Sequence, residues 1–310
     1  MSFTAEVKDE LSRIEPKRPC CLKAELAALV RIEGTLHITG PNRYRLEVAT
    51  ETAPVARAVI KLLHGVYGLK TELTVRRSVL HKTNNYLITV PSQAKLAGAL
   101  EELGILGEGG FSIGIDPKLV KRDCCAISYL RGAFLGGGSA SGLRSLHLEI
   151  RSSTMAGAER LAWVAANEDV PLKVRDRGRY AIVYAKGAEA VADALALAGA
   201  GDSALAIDEH AVVAEARARA NRIANADHAN LVRASRAAHA QVQAIRTLEQ
   251  DGRLVRLSPS LREIADLRLR HPSSSLRELA AKCRPPATKA AAHRRLARLV
   301  VLAGPDSRQP

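Results

Sequence analysis

Aromatic residues are scarce in this chain of 310 residues, of which phenylalanine, tryptophan and tyrosine together make up 3%. Surfaces that bind single strands or RNA stack bases on aromatic side chains, so the composition disfavours those ligands. The sequence has no apolar run of about eighteen residues, which argues against a membrane-spanning helix. Residues 1–8 lack a basic stretch followed by an apolar one, so we expect no secretory signal and a cytoplasmic location.

Cysteine is also sparse, and its number is odd. Five cysteines in an intracellular chain predict free thiols rather than disulfides. Four of them form the adjacent pairs Cys20-Cys21 and Cys124-Cys125. Zinc half-sites usually place at least two residues between ligands, so this spacing disfavours a metal. Because each pair precedes the same motif, we expect a packing role at a helix start, with no metal and no other cofactor.

Acidic residues are outnumbered by basic ones. The chain has 46 lysines and arginines against 32 aspartates and glutamates, a net charge of +14. Such an excess is typical of proteins that neutralise phosphates. A chain generally rich in alanine and arginine would show the same excess without binding a polyanion. The position of the basic residues along the chain therefore has to distinguish these two explanations.

The chain contains a duplicated motif, LAALVRIEG at residues 26–34 and LRGAFLGGG at residues 130–138. Both copies are rich in small apolar residues, follow a cysteine pair and end in glycine. Matching entry and exit signals indicate an internal repeat. The copies differ before the final glycine, where the first has Glu33 and the second has Gly137.

Behind each motif, apolar residues alternate with a period of two before helical periods return. The first copy predicts strands at 35–39, 44–49, 70–76 and 86–90, and helices at 52–67 and 92–103. The second predicts strands at 145–151, 171–174 and 180–185, and helices at 155–168 and 188–198. Each half therefore has the order α-β-β-α-β-β-α in an α+β fold. Glycines at 107–110 predict a flexible boundary between the halves.

The C-terminal third is expected to be helical. Residues 207–250 contain no proline or glycine, and predict either a solvated linker helix or a helix lying on another surface. The sequences SLRE at 260–263 and SLRE at 275–278 predict two capping boxes, in which serine and glutamate cap the helix start reciprocally. Two prolines at 285–286 end the second of these helices. Thr288 is predicted to cap a third.

The predicted third helix has an apolar stripe of Ala292, Leu296, Leu299, Val300 and Ala303. Arginines project from the opposite face, and residues 284–302 contain no acid. A helix, a turn and a basic helix form the helix-turn-helix arrangement. The residues predicted to bind DNA are Ser275, Thr288, Lys289, His293, Arg294, Arg295 and Arg298. A three-helix packing module with a solvated cationic face is the alternative.

The two motifs resemble the LAGLIDADG signature of homing endonucleases, in which two motif helices pack at a pseudo-twofold interface between saddle-shaped sheets. With the C-terminal helices, the chain resembles the WhiA family. The residues that carry this resemblance are the cysteine pairs and residues 129–139, 221–231 and 261–265. It implies an N-terminal helix in 1–20, a LAGLIDADG-like domain in 21–201 (repeats 21–106 and 122–201), a helical linker in 205–250, and a helix-turn-helix domain in 251–310, with its motif at about 274–307.

The WhiA resemblance implies a nucleoid-associated transcription regulator of sporulation, cell division and chromosome segregation. Its expected partners are promoter DNA and the transcription machinery or a sigma factor, and no membrane. Homing enzymes need one metal-binding carboxylate from each motif. Gly137 replaces the second, so the resemblance implies an inactive site in which Glu33 is vestigial.

Two alternatives stay open. In a protein-interaction scaffold, only the helix-turn-helix would contact DNA; in a metal-dependent endonuclease, Glu33 would act. Contact with DNA by both domains is favoured if the basic residues of the predicted sheets share a face. These residues are Arg43, Arg45, Arg76, Arg77, Arg144 and Arg151.

Overall fold

A computed structural model describes residues 2–77, 84–107, 110–141 and 145–304. It divides the chain into two compact units, Met1–Ala214 and Glu215–Pro310. Within the described ranges, no helix combines the length and the hydropathy needed to cross a membrane.

The first repeat of the first unit follows an N-terminal helix. Its elements are α1 (Phe3–Ser12), α2 (Pro19–Glu33), β1 (Gly34–Gly40), β2 (Arg43–Thr50), α3 (Ala53–Tyr67), β3 (Glu72–Arg77), β4 (Asn84–Val90) and α4 (Ala94–Glu102). Two short strands, β5 (Leu106–Gly107) and β6 (Gly110–Phe111), and a 3₁₀ turn at Pro117–Val120 lead to the second repeat.

The second repeat has the same order of elements. They are α5 (Asp123–Gly137), β7 (Gly138–Ala140), β8 (His147–Ser152), α6 (Met155–Ala166), β9 (Lys173–Asp176), β10 (Ala181–Lys186) and α7 (Ala188–Ala198). The sheets have the equivalent orders β1-β2-β4-β3 and β7-β8-β10-β9, and every pairing is antiparallel. The α+β fold class and the duplicated α-β-β-α-β-β-α order are confirmed.

Local sequence explains where these elements begin and end. In α3, Val55, Val59 and Leu63 recur at helical spacing and are buried. Gly68 then adopts a left-handed conformation with φ of 62°, which ends the helix. In β2, Leu46 is buried and its neighbour Arg45 is exposed, the alternation of a sheet with one solvated face.

The residues that flank the glycine-rich boundary between the repeats are paired. Leu106 pairs with Phe111 and Gly107 pairs with Gly110, so β5 and β6 form a small two-stranded antiparallel sheet. Residues 108–109 lie outside the described ranges. Glycine composition alone indicates backbone freedom, but it does not reveal that flanking residues pair.

The two motif helices, α2 and α5, pack closely because their facing residues are small. A Cβ atom added to Gly132 would lie 2.3 Å from the backbone oxygen of Glu25 and 3.1 Å from the Ala28 Cβ atom. Glycine therefore permits an approach that no other residue allows. Buried Leu26 and Phe134 belong to the single core cluster that includes residues of both repeats.

The second unit has its own core. The unit consists of α8 (Gly201–Gln250) from residue 215 onward, a 3₁₀ turn at Leu254–Arg256, α9 (Pro259–Arg270), α10 (Leu276–Lys282) and α11 (Lys289–Leu302). These elements enclose a fully apolar cluster of Ile245, Leu248, Ile264, Ala265, Leu279, Ala280, Cys283, Ala292, Leu296 and Leu299.

Two expectations for this unit were wrong. The helix predicted to be capped by Ser260 begins earlier, with Ser258 at the cap position and Pro259 in the first turn, where proline is favoured. Instead of capping that helix, Oε1 of Glu263 accepts a hydrogen bond from the backbone nitrogen of Arg284, 2.6 Å away. Val300 does not belong to the buried stripe and is 38% exposed, because it lies at the side of α11.

Candidate functional site

The helices α2 and α5 end side by side, with Glu33 in the last turn of α2 and Gly136 and Gly137 in the last turn of α5. A Cβ atom on Gly136 would lie 3.3 Å from Cγ of Glu33. A Cβ atom on Gly137 would lie only 2.7 Å from Cγ2 of Ile32 and 3.1 Å from the backbone oxygen of Arg151. The second carboxylate is therefore absent, and the space it needs is already filled.

A lysine from outside both motifs reaches this end of the helix pair. Nζ of Lys8 donates to the backbone oxygen of Gly136 at 2.9 Å, in the last turn of α5, where a cation is favoured. Burial lowers the pKa of Lys8, and Glu33 and Glu51 act to raise it. The half-buried Lys8 side chain thus brings a cation to the site, which opposes binding of a second, divalent one.

Glu33 is influenced by several charges at once. Burial raises its pKa, Lys8 and Arg151 act to lower it, and Glu51 acts to raise it further. Two protein cations, Lys8 and Arg151, therefore act on this carboxylate, while its burial disfavours the charged form.

The register of the first sheet places three arginines on one face. Arg45 and Glu47 point to the same side of β2, Glu47 pairs with Thr89, and Thr89 pairs with Glu72. Side chains two residues apart in a strand share a face. The solvent face of this sheet therefore carries Arg43, Arg45 and Arg76. Arg77 has the opposite parity and does not share it.

Two acids on this face reduce its positive charge. Glu47 pairs with Arg45, and one of its oxygens lies 3.2 Å from Nε2 of His37. Glu72 is exposed at the edge of the sheet. Arg43 and Arg76 form no ion pair with the residues that the structure describes, which leaves both guanidinium groups available to a ligand.

The second sheet has an equivalent basic face. Ile182 pairs with both Arg151 and Arg175, so the two arginines lie on one side of the sheet. Strand parity adds Lys173 and Lys186 to this face. A pocket of about 330 Å³ opens here and is lined in part by His147, Arg175, Arg177, Tyr184 and Lys186. Arg144, which was also expected on the sheets, lies outside the described residues.

In the second unit, helix caps fix the turn that precedes α11. Ser275 and Glu278 form the predicted capping box at the start of α10. Oγ1 of Thr288 accepts from the backbone nitrogen of Ala291 at 3.1 Å, so Thr288 caps α11 as expected. Because buried Leu296 and Leu299 hold the inner face of α11, its orientation within the unit is set by packing.

The outer face of α11 is cationic and exposed. Lys289, His293, Arg294 and Arg298 all lie on the surface. Arg295 differs, because it is half-buried and its Nη1 atom lies 4.0 Å from Sγ of Cys283. No ion pair within the described ranges involves any arginine of α11, so their charge is not neutralised by the protein.

Three WhiA family profiles match the chain. They describe the WhiA N-terminal LAGLIDADG-like domain at residues 19–106, the WhiA LAGLIDADG-like domain at 126–217 and the WhiA C-terminal HTH domain at 220–303. A probable cell division protein WhiA of Heliobacterium modesticaldum is 40% identical over 312 residues, which cover 100% of this chain and 98% of the relative. The chain belongs to the WhiA family.

A second relative supports this assignment, and two solved structures share the fold. The probable cell division protein WhiA of Desulforudis audaxviator is 41% identical to this chain. The match covers 98% of this chain and 97% of that relative. Full-length DUF199/WhiA from T. maritima shares the fold, with a TM-score of 0.60 at 21% identity over 98% of each chain. The N-terminal LAGLIDADG domain of a DUF199/WhiA protein matches with a TM-score of 0.52 at 19% identity. The match covers 64% of this chain and 90% of that structure.

Within this WhiA fold, most of the residues predicted to bind DNA lie on one helix. Lys289, His293, Arg294 and Arg298 share α11, and Thr288 begins it. Exposed Ser275 caps the preceding helix, α10. Arg295 is half-buried, and its guanidinium group contacts Sγ of Cys283. Their contact with DNA stays a prediction.

Sequence reasoning missed Lys8 and the faces of the sheets. Lys8 lies in α1, far from either motif along the chain, and no local pattern connects it with Glu33. The faces of Arg45 and Arg76 follow from strand register. Parity within a strand could indicate part of that register, but the pairing between strands could not be derived from it.

Proposed function

We propose that the protein is a sequence-specific regulator that binds double-stranded DNA through α11 and does not cleave it. The observation that carries this proposal is the outer face of α11, which is exposed, basic and free of acids. The opposite face of the same helix packs in the apolar core of the second unit. A rigid helix with exposed arginines suits the major groove, where arginine reads guanine and contacts phosphates.

The LAGLIDADG-like unit is proposed to contact the same kind of ligand. Arg43, Arg45 and Arg76 on one sheet and Arg151 and Arg175 on the other offer guanidinium groups to phosphates. Such contacts position a protein on DNA without reading sequence.

Salt dependence tests this second proposal. Each phosphate that the protein no longer neutralises lowers the slope of log affinity against log salt by about 0.9. In the full chain, Arg43→Ala/Arg76→Ala removes up to two phosphate contacts. The slope should therefore become shallower by up to about 1.8. An unchanged slope would restrict DNA binding to α11 and favour the scaffold alternative.

The absence of nuclease activity is proposed from the end of the motif helices. Gly137 supplies no carboxylate and has no room for one, and Lys8 and Arg151 act on the remaining Glu33. Two-metal cleavage needs acidic ligands and space for the ions. A non-enzymatic role of this unit is the function that such a site supports.

The biological setting is proposed from the relatives. Their name, cell division protein WhiA, supports a regulator of division genes, and we extend the proposal to sporulation and chromosome segregation. A cytoplasmic, nucleoid-associated location and contact with the transcription machinery or a sigma factor complete it. These finer assignments rest on the family and on DNA binding.

The test is chromatin immunoprecipitation and sequencing of the full chain in its own cells. We expect enriched promoter fragments that share a sequence motif and include division genes. Arg294→Ala/Arg298→Ala should lose these peaks, whereas Arg246→Ala/Arg262→Ala, which removes the same charge from exposed positions of α8 and α9, should retain them. Identical peaks from the first variant would refute recognition by α11, and a pattern without a motif would refute sequence-specific binding.

A further inference from the structure

The four paired cysteines meet at the end of the motif helices opposite to Glu33. Cys20 and Cys21 lie in the first turn of α2, and Cys124 and Cys125 lie in the first turn of α5. Their four Sγ atoms all lie within 4.8 Å of one another. The spacing within each pair could not reveal that the repeat brings both pairs to one point.

We propose that Cys20, Cys21, Cys124 and Cys125 form a closed tetrathiolate site for one structural zinc ion, which joins the two repeats. Zinc bonded to four thiolates at about 2.3 Å holds its sulfurs about 3.8 Å apart in a tetrahedron. The observed cluster requires only a small contraction to reach that geometry. Thiolates shared among several irons lie farther apart across a cluster, so the compact set fits a single ion.

Two arginines are placed to balance the charge of this site. Nη1 of Arg18 lies 3.5 Å from Sγ of Cys124, and Nη1 of Arg122 lies 3.7 Å from Sγ of Cys20. Each arginine is the cap residue of one motif helix and contacts the outer cysteine of the other repeat. Four thiolates and one Zn²⁺ have a net charge of −2, which two guanidinium groups offset. A packing role does not require this reciprocal arrangement.

The surroundings also favour thiolates. The positive ends of both helix dipoles face the sulfurs. Metal binding releases the protons of ligating thiols, so zinc binding should strengthen as pH rises.

The position of the site assigns it a structural role. Four protein ligands leave no open coordination position for a substrate. The 12 residues from Cys21 to Glu33 span about 18 Å of helix, so the ion lies far from Glu33 at the other end of α2. Zinc here would fix the start of α2 to the start of α5, at the interface between the two repeats.

The experiment uses the full chain, purified without oxygen and without a metal-affinity tag. Elemental analysis should find about one zinc per chain. After chelation, added Co²⁺ should give the visible bands of tetrahedral cobalt and the ultraviolet sulfur-to-cobalt charge transfer. Chelation should also lower the melting temperature of the first unit, followed by the fluorescence of Trp163, the single tryptophan of the chain.

Cysteine variants separate this site from the fifth cysteine. Cys20→Ser/Cys124→Ser, which alters the two less buried positions, should lose zinc and the cobalt bands. Cys283→Ser should keep both, because Cys283 lies in the second unit. If the double variant fails to fold, the single variant Cys20→Ser should still show a shifted and weakened cobalt spectrum.

Several results would overturn the proposal. They are a reduced chain that gives no cobalt–thiolate spectrum, a double variant that keeps the spectrum of the parent, and an anaerobically purified chain whose pairs are joined by disulfides. Iron in place of zinc, with the absorption of an iron–sulfur cluster, would overturn the single-ion assignment as well.

Discussion

Arg131 of α5 donates through Nε to Oε2 of Glu25 in α2 at 2.9 Å, and both side chains are almost completely buried. The same guanidinium group donates to Oγ of Ser128 at 3.1 Å and to the backbone oxygen of Ala198 at 3.3 Å. The two repeats are therefore joined by a charged pair in the middle of an interface that is otherwise small and apolar.

Removing one partner of this pair should be costly. Arg131→Met leaves the carboxylate of Glu25 buried without a counter-charge, and we expect a loss of about 3–5 kcal/mol in the free energy of unfolding. Urea titration followed by Trp163 fluorescence measures it in the first unit. The double variant Glu25→Leu/Arg131→Met should recover most of the loss, since no charge is then buried. A single variant as stable as the parent would show that the pair is not needed.

The stability contributed by Glu33 should fall as pH rises. Burial raises the pKa of Glu33 in the folded chain above the value of about 4.3 in an unfolded one. Between the unfolded pKa and the folded pKa of Glu33, the folded state binds more protons than the unfolded state. The stability that Glu33 contributes is therefore lost as pH rises through its folded pKa. Glu33→Gln lacks this loss.

Urea titrations of the two proteins from about pH 4 to about pH 7 provide the measurement. The stability of Glu33→Gln relative to the parent should increase across this range. Lys8, Arg151 and Glu51, which act on the same carboxylate, are unchanged in the variant. A difference that is constant, or that decreases with pH, would mean that Glu33 is not desolvated.

Duplex DNA should remain uncut in the presence of the protein. With Mg²⁺ or Mn²⁺ and a bound site, both strands should stay intact on a denaturing gel, because only one motif supplies a carboxylate. Gly137→Glu should not restore cleavage, since even a Cβ atom there collides with Ile32. Specific cuts that disappear in Glu33→Ala would instead establish a nuclease.

The second unit should depend on the apolar face of α11. Leu296 is completely buried, and Leu296→Ala should cost about 2–5 kcal/mol through reduced burial and a cavity. Val301 on the same helix is 69% exposed, so Val301→Ala is the matched control and should change stability little. Helical circular dichroism measures the loss, while Trp163 fluorescence follows the first unit alone. Equal effects of the two substitutions would contradict the assigned packing of α11.

The sequence could reveal the repeat and most of its elements because those depend on local signals. The alternation in β2 and the stripe of Ala292, Leu296 and Leu299 arise from burial of one face, which the pattern records directly. Ser260 was misassigned because Pro259 is itself suited to the first turn, and the helix therefore begins before that serine.

Other features depend on tertiary pairing. Lys8 reaches Gly136 across 128 positions, and the pairs Cys20-Cys21 and Cys124-Cys125 meet only through the packing of α2 on α5. Spacing rules apply to ligands within one segment, so they could not show a cluster assembled from two repeats. The sheet faces of the arginines needed the register for the same reason.

The proposed recognition of DNA by α11 is tested by the affinity of the full chain for a duplex that contains its selected site, measured by fluorescence anisotropy. Arg294→Ala/Arg298→Ala should weaken binding by about 1–3 kcal/mol for each base that the variant no longer reads. It should melt like the parent, because both side chains are exposed. The charge-matched Arg246→Ala/Arg262→Ala should bind that site almost as tightly as the parent. If Arg294→Ala/Arg298→Ala binds the selected site with unchanged affinity, α11 is not the recognition helix and the proposed function is wrong.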